Sequence, residues 1–167
     1  INQCIFIQNS GSGSVFKADH GDSTIFTNSI FYDNDGTEIF IERTDETTPE
    51  IYVGIQYSLT DFEFDSMYVS TASTLENLGG NIDVNPMFVD TTNGDYTLQM
   101  DSPLIDAGHP DSTDADGTRA DIGAYYYDQS GQPARVLGFV TTPTDSNEII
   151  LTWDALSPEP DHYSIYR

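Results

Sequence analysis

The sequence predicts an all-β protein in which short strands stack in successive layers, a layer being one passage of the chain around the stack. The segment that begins at Gln3 recurs without gaps at Asn28, 25 residues later, and in a looser form at Tyr57, 29 residues further on. Repeats of this length are typical of solenoids. The repeated residues are β-branched or aromatic, end in Asn or Gly, and lack the 3.6-residue period of a helix, so each repeat is predicted to be a strand followed by a turn.

Stacking of the repeats predicts which residues lie next to each other in adjacent layers. Strands about 4.8 Å apart and paired in parallel would place Ile5 on Ile30 and Leu59, as an internal aliphatic ladder. Asn9 would lie over Asn34 as a polar ladder at a turn, because Asn tolerates left-handed dihedral angles. The alternative is that each asparagine forms its own turn.

The remaining elements follow from local composition. The acidic segment 42–50 contains Pro49 and no large apolar residue, so it is predicted to be a loop. The spacing of Ser73 and Glu76 fits a capping box, which predicts a single helical turn ended by Gly79 and Gly80. Further strands are predicted at Ser14–Lys17, Thr24–Thr27, Glu38–Glu42, Ile51–Gln56 and Met67–Val69.

Composition and charge narrow the classes of partner. Only five Lys and Arg residues stand against 28 Asp and Glu, for a net charge of -23. Such a chain repels phosphate backbones and anionic membrane surfaces, which argues against nucleic-acid binding. No apolar run approaches the ~20 residues of a membrane span. The acidity either keeps the protein soluble in a salty or calcium-rich exterior or provides carboxylates for divalent cations. Cys4 is the only cysteine, so no internal disulfide is possible.

A resemblance to a known family comes from the second half of the chain. Its motifs are Asn81–Asp90, Gly94–Leu98, Ser102–Gly108 and Asp121–Tyr125, in that order. This series resembles the closing segment of secreted right-handed parallel β-helix proteins, the pectate-lyase-like superfamily with choice-of-anchor members. The resemblance implies a secreted or bacterial cell-surface protein. It implies β-helix rungs over residues 1–105 and a C-terminal cap over 106–128. Residues 81–127 are predicted to be the last rung and a lid, whose apolar residues close the top of the core: Phe88, Leu98, Leu104, Ile105 and Ile122.

The last part of the chain has a different pattern. Residues 129–134 are predicted to be a linker, and residues 135–167 resemble the first strands of a fibronectin type III domain, with Trp153 as the core tryptophan. A complete domain of this kind needs about 100 residues in seven strands, so only part of the β-sandwich is expected here. We expect the chain to be a piece of a longer secreted precursor. The predicted strands are Arg135–Val140, Glu148–Trp153 and Asp161–Arg167.

The aspartate-rich segment 111–121 is the candidate metal site. Calcium prefers six to eight hard oxygen ligands, and closely spaced aspartates around a Gly turn can provide several of them. Two alternatives stay open: a solvated turn in which aspartates accept backbone N–H groups, or charge compensation by Arg119. The residues predicted to bind calcium are Asp111, Asp114, Asp116 and Asp121.

The function predicted from these observations is non-catalytic. We expect an extracellular structural, fibre or adhesion module that binds polysaccharide or other cell-surface proteins, with no catalytic residue assigned and its ligand-binding residues unknown. Tyr125–Tyr127 is either a sugar-stacking platform or a lid strand with alternating burial. The alternative function is the C-terminal part of a polysaccharide lyase or glycoside hydrolase with its catalytic rungs upstream, since Lys17 and Arg43 follow no lyase motif. The aspartates available to a hydrolase are Asp33, Asp61 and Asp65.

Overall fold

The structure, a computed structural model, describes residues 1–10, 14–18, 23–43, 47, 49–130, 140–143 and 149–152. These residues form thirteen β-strands and two short 3-10 helices, and they contain no α-helix. An all-β chain with parallel sheets is thus confirmed for the described residues. No helix among them is long and apolar enough to cross a membrane. The chain divides into two compact units, Ile1–Asp128 and Gln129–Arg167.

Nine strands of the first unit form three parallel sheets of three strands each. The chain passes through the three sheets in turn and then repeats the passage, so that the strand orders are β1-β4-β7, β2-β5-β8 and β3-β6-β9. The three layers are therefore β1 to β3, β4 to β6 and β7 to β9. The strands are β1 (Ile5–Ile7), β2 (Ser14–Ala18), β3 (Ser23–Thr27), β4 (Ile30–Tyr32), β5 (Thr37–Ile41), β6 (Tyr52–Gln56), β7 (Leu59–Thr60), β8 (Tyr68–Val69) and β9 (Thr74–Gly79).

The predicted stacking of isoleucines and leucine across the layers is confirmed. Ile5 pairs with Ile30, and Ile30 pairs with Leu59, in parallel register. A parallel bridge from Leu59 to Ile82 adds a fourth position, at the start of a further partial layer. The offset of 25 and then 29 residues that is visible in the sequence therefore measures one passage through the three sheets.

Ile30 and Leu59 are fully buried, so the ladder is internal as predicted, but it does not lie in the space between the three sheets. Phe6 and Phe31, which alternate with the ladder residues, point into the space between the three sheets, where their rings stack with centroids 4.7 Å apart. The ladder lies on the opposite face of the β1-β4-β7 sheet. In a three-residue strand that is apolar on both faces, alternation shows which residues share a face but not which face lies between the sheets. The core between the sheets contains Phe26, Phe31, Ile39, Ile41, Ile51, Val53 and Ile55.

A second core covers the outer face of the β1-β4-β7 sheet. The chain continues through β10 (Phe88–Asp90), a 3-10 turn (Thr91–Asn93) and β11 (Asp95–Leu98), in which the two strands form an antiparallel hairpin. The five residues predicted to close the top of the core belong to this second core. They pack against the side of the layers and not on top of them, so the predicted lid is in the wrong position. The buried members are Ile30, Leu59, Phe88, Leu98, Leu104, Ile105 and Ile122.

The upper end of the core between the sheets is covered from within the third layer. Phe62 packs edge-on against Phe31, with ring centroids 5.9 Å apart, and it also contacts the ring of Phe64. Phe64 begins the 3-10 turn η1 (Phe64–Ser66). Met67 Sδ accepts a hydrogen bond from Ile39 N at 3.3 Å. The loop between β7 and β8 therefore plugs the core in the position expected for the C-terminal segment.

The predicted helical turn at Ser73–Glu76 is also wrong, because Thr74–Gly79 is strand β9. The segment pairs in register with β6, and the pairing of its backbone overrides the local capping signal. In the predicted loop 42–50, the described residues belong to no strand.

Polar side chains connect the layers at the turns. Cys4 N donates to Ser29 Oγ at 3.3 Å, and Ser29 N donates to Ser58 Oγ at 3.0 Å. The predicted contact of Asn9 with Asn34 is confirmed, since Asn9 Nδ2 donates to Asn34 Oδ1 at 2.8 Å. Asn9 N also donates to Asn34 Oδ1, at 3.0 Å. The bonds from Cys4 N, Asn9 N and Ser29 N satisfy backbone groups at the corners, where the sheets leave them unpaired.

In the second unit, β12 (Val140–Pro143) pairs antiparallel with β13 (Ile149–Thr152). The second strand lies inside the predicted segment 148–153. The first strand overlaps its prediction only at Val140. Residues 135–139, Trp153 and the predicted third strand 161–167 lie outside the described residues.

Candidate ligand-binding groove

An open groove of about 420 Å³ lies where the ends of β1 and β4 meet the second core. Ile7 and Tyr32, which are paired across these two strands, form its floor. The next residues, Gln8 and Asp33, have positive φ angles of 51° and 53°, and so bend the chain out of the sheet at the same place in both layers. We call this the Tyr32 groove; its lining residues are Ile7, Gln8, Tyr32, Asp33, Asn85, Pro86, Met87, Phe88, Thr91 and Gln99.

The opposite wall of the groove is held in place by hydrogen bonds. Met87 N donates to Asn85 Oδ1 at 2.9 Å, which stabilises the bend at Met87, whose φ is 54°. Gln99 N donates to Met87 O at 2.9 Å, and Gln99 Nε2 donates to Phe88 O at 2.7 Å. Ser102 Oγ donates to Pro86 O at 2.7 Å from beneath. A wall fixed in this way presents its polar groups with little freedom to lose on binding.

The chemistry of the lining suits a neutral, hydroxyl-rich ligand. Tyr32 contributes an aromatic ring, and amide, hydroxyl and carboxylate groups come from Gln8, Asn85, Thr91 and Asp33. Gln8 Nε2 donates to Asp33 Oδ2 at 3.1 Å, which leaves the other carboxylate oxygen of Asp33 for a ligand. None of the ten lining residues is Lys, Arg, His or Cys. The lining that the structure describes therefore contains no cation for an anionic ligand.

A second shallow groove of about 370 Å³ adjoins the first and shares Ile7 with it. Tyr96 and Tyr125 line it, together with Asn9 and other first-layer residues. Tyr125 and Tyr126 are both exposed, and no strand spans them, so the interpretation as a lid strand with alternating burial is wrong. Tyr32, Tyr96 and Tyr125 thus lie along one side of the first unit.

The four predicted calcium ligands lie in one loop, and the carboxylates of three of them accept hydrogen bonds from backbone N–H groups. Asp114 Oδ2 accepts from Asp121 N at 2.7 Å. Asp121 accepts from Asp106 N at 2.7 Å and from Tyr127 N at 2.6 Å, one bond to each oxygen. Asp116 Oδ1 accepts from Thr118 N at 3.1 Å.

Asp111, the fourth predicted ligand, contributes its own N–H, which donates to His109 Nδ1 at 3.2 Å. Among the described residues, no three acidic, His or Cys side chains are close enough together to hold a metal ion. The geometry thus corresponds to the alternative in which aspartates close the turns. Calcium binding stays a prediction.

Burial perturbs two of these aspartates. Desolvation raises the pKa of Asp121 to about 6, although hydrogen bonds from Tyr127 N and Asp106 N oppose this rise. Desolvation also raises the pKa of Asp114, opposed by the bond from Asp121 N. Both groups hold backbone segments together through these hydrogen bonds, while their burial causes the raised pKa.

Residues 106–123, which we call the clasp, run along the bends of successive layers. Gln3, Asn28 and Tyr57 have positive φ angles of 50°, 50° and 45°, and each contacts the clasp. Gln3 Nε2 donates to Asp114 Oδ1 at 3.2 Å, and Asn28 Oδ1 accepts from His109 N at 2.6 Å.

The third bend meets the clasp through rings, since His109 packs edge-on against Tyr57 with ring centroids 4.8 Å apart. The sequence repeat includes Gln3, Asn28 and Tyr57, but nothing in the sequence indicated that the clasp would contact them.

Arg119 also belongs to the clasp, where it contacts carbonyl oxygens and an aromatic ring. Its Nε donates to Gly108 O at 2.7 Å, and its guanidinium lies 5.9 Å from the centre of the Tyr57 ring. Gly108 is required here because a Cβ atom would lie 2.5 Å from Ala120 O.

Lys17 and Asp61, two of the residues considered for catalysis, have structural partners. Lys17 Nζ lies 3.2 Å from Glu42 Oε2 and 5.8 Å from the centre of the Phe40 ring. Asp61 Oδ2 accepts from Asp33 N at 2.6 Å, which fixes the bend at the edge of the Tyr32 groove. Asp65 lies in the 3-10 turn η1.

Comparisons with known proteins return nothing: no protein family, no curated protein and no solved structure matches the chain.

Proposed function

We propose that the first unit is part of a right-handed parallel β-helix of a secreted or cell-surface protein, and that it binds a neutral glycan in the Tyr32 groove without catalysing a reaction. The passage through three sheets in a repeated order supports the architecture. We also propose that the second unit belongs to a fibronectin type III-like domain; the β12–β13 hairpin is compatible with this class.

The composition of the groove is the observation that carries the binding proposal. A sugar ring has an apolar C–H face and a rim of hydroxyl groups. Tyr32 can pack against the face, while amide, carboxylate and hydroxyl side chains can bond the rim. A volume of about 420 Å³ is in the range of small-ligand sites.

Charge selects neutral over acidic glycans. The chain carries a net charge of -23, and Asp33 lies in the groove with Asp61 bonded to its N–H. A polyuronate would bring further carboxylates to this acidic surface, which repels them. A hydroxyl donor to Asp33 would instead form a charge-assisted hydrogen bond.

The test is binding of uncharged and acidic oligosaccharides by calorimetry, with a matched pair of variants. Asp33→Asn should weaken binding of a neutral glycan about tenfold, as expected for the loss of one charge-assisted hydrogen bond. Asn also adopts positive φ readily, so the bend is preserved. Asp35→Asn, two residues away and outside the groove, should bind like the wild type.

The proposal would be contradicted if no neutral glycan in the panel bound the protein. It would also be contradicted if Asp33→Asn and Asp35→Asn changed the affinity equally. The catalytic alternative can be tested by incubating the chain with polysaccharide. If unsaturated or shortened products were released, the function would be enzymatic and the proposed non-catalytic role would be wrong.

A further inference from the structure

The upper edge of the β3-β6-β9 sheet ends in an open strand. On one side β9 pairs with β6, and on its other side the described part of the chain places no strand. Thr74 N donates to Ile51 O at 2.8 Å, toward β6. Because backbone groups alternate in direction along a strand, the N–H and C=O groups of Leu75 and Asn77 point to the open side.

This edge has few of the features that usually block strand addition. Its sequence, Thr-Leu-Glu-Asn-Leu-Gly, contains neither Pro nor Lys, and every residue except Leu75 is exposed. One protective feature is present, since the register shifts between Ile55 and Gln56, which leaves Leu78 as a bulge. The regular edge available to a partner is therefore Thr74–Asn77, long enough for a short added strand.

Acidic side chains surround the open edge. Glu76 lies on β9 itself, where its Oε2 accepts a hydrogen bond from Tyr52 Oη at 2.8 Å. The 3-10 turn η1 packs against β9 and carries Asp65, and Glu63 immediately precedes that turn. All three carboxylates are on exposed residues. A second copy of this chain would bring another charge of -23 to this edge, whereas a basic segment would be attracted to it.

We propose that the open edge of β9 binds an extended lysine- or arginine-rich segment of another protein as an added strand. Backbone hydrogen bonds to Leu75 and Asn77 supply the pairing, and Glu63, Asp65 and Glu76 select for positive charge. This surface is separate from the Tyr32 groove, and it adds a protein partner to the proposed glycan ligand.

The experiment uses the full chain and a fluorescent eight-residue peptide of alternating lysine and valine, followed by anisotropy. The same peptide with every backbone amide methylated keeps its charge but cannot pair, and it should bind at least about tenfold more weakly. A peptide of alternating glutamate and valine should not bind. In hydrogen exchange followed by NMR, the amides of Leu75 and Asn77 should exchange more slowly on binding, whereas the amide of Thr74, already bonded to Ile51, should not change.

Charge variants separate the edge from the overall acidity of the chain. Glu63→Lys combined with Asp65→Lys should weaken binding at least about threefold. Asp35→Lys combined with Asp101→Lys changes the net charge equally at exposed sites elsewhere and should leave binding within about a factor of two.

Three results would overturn the proposal: equal binding of the methylated peptide, equal effects of the two double variants, or no binding at all. Self-association of the chain through β9 at low salt would also overturn it, in favour of a second copy as the occupant of the edge.

Discussion

Glu38 makes the stability of the first unit depend on pH. Its side chain is only 3 % exposed on β5, and Asn34 Nδ2 donates to its Oε2 at 3.1 Å. Desolvation raises the pKa of Glu38 from 4.5 to about 7, with a smaller opposing effect of Asn34 and a further rise from the charge of Asp61. The perturbation that isolates this charge is Glu38→Gln, which keeps the shape and a carbonyl acceptor for Asn34.

The sign of the effect follows from proton binding. Between pH 4.5 and 7 the folded state keeps a proton on Glu38 that the unfolded state releases. The contribution of Glu38 to stability is therefore fully present below pH 4.5 and is lost as pH rises through about 7. A shift of this size corresponds to at most about 3 kcal/mol. Because the surrounding structure can relax around the charged form, we expect about 1–2 kcal/mol between pH 5 and pH 8.

The assay is urea unfolding of the wild type and of Glu38→Gln at both pH values. At each pH we take the free energy of unfolding of Glu38→Gln minus that of the wild type. This difference should be larger at pH 8 than at pH 5 by about 1–2 kcal/mol. Glu63→Gln, at an exposed carboxyl, is the control and should show no such difference. If the difference between Glu38→Gln and the wild type were the same at both pH values, the charge of Glu38 would not be the cause, and the argument from desolvation would be refuted.

Two further predictions concern the second core and the candidate calcium loop. Ile30→Ala removes a fully buried side chain and should lower the free energy of unfolding by about 2–5 kcal/mol in the same urea experiment. The control is Ile25→Ala, at a side chain that is 43 % exposed, which should lower it by less than about 1 kcal/mol. Equal losses would contradict the burial of the ladder. Because Asp114, Asp116 and Asp121 already accept backbone N–H groups, millimolar calcium or chelator should move the Tm by less than about 2 °C. A larger rise with calcium, abolished by Asp114→Asn, would support the metal site instead.

The candidate site shows the limits of prediction from one sequence. Gln8 and Asp33 occupy equivalent positions in the repeat, so their proximity followed from the offset of 25 residues. The opposite wall, from Asn85 to Gln99, comes from a segment that repeats nothing in the layers. No local signal indicated that it would fold back along the side of the sheet, because the closing motifs were equally compatible with a lid.

The repeat alone determined that Ile5, Ile30 and Leu59 stack, since offsets of 25 and 29 residues bring equivalent residues together in adjacent layers of a parallel stack. It favoured the contact of Asn9 with Asn34 without deciding it, because each asparagine could also have formed its own turn. Only the tertiary structure decided which face of that stack lies between the three sheets. Both faces of the β1-β4-β7 sheet are apolar, and the choice between them depends on where the later segment packs. Strand periodicity identifies residues that share a face, while burial depends on contacts far apart in the chain, and these exist only once the whole unit has folded.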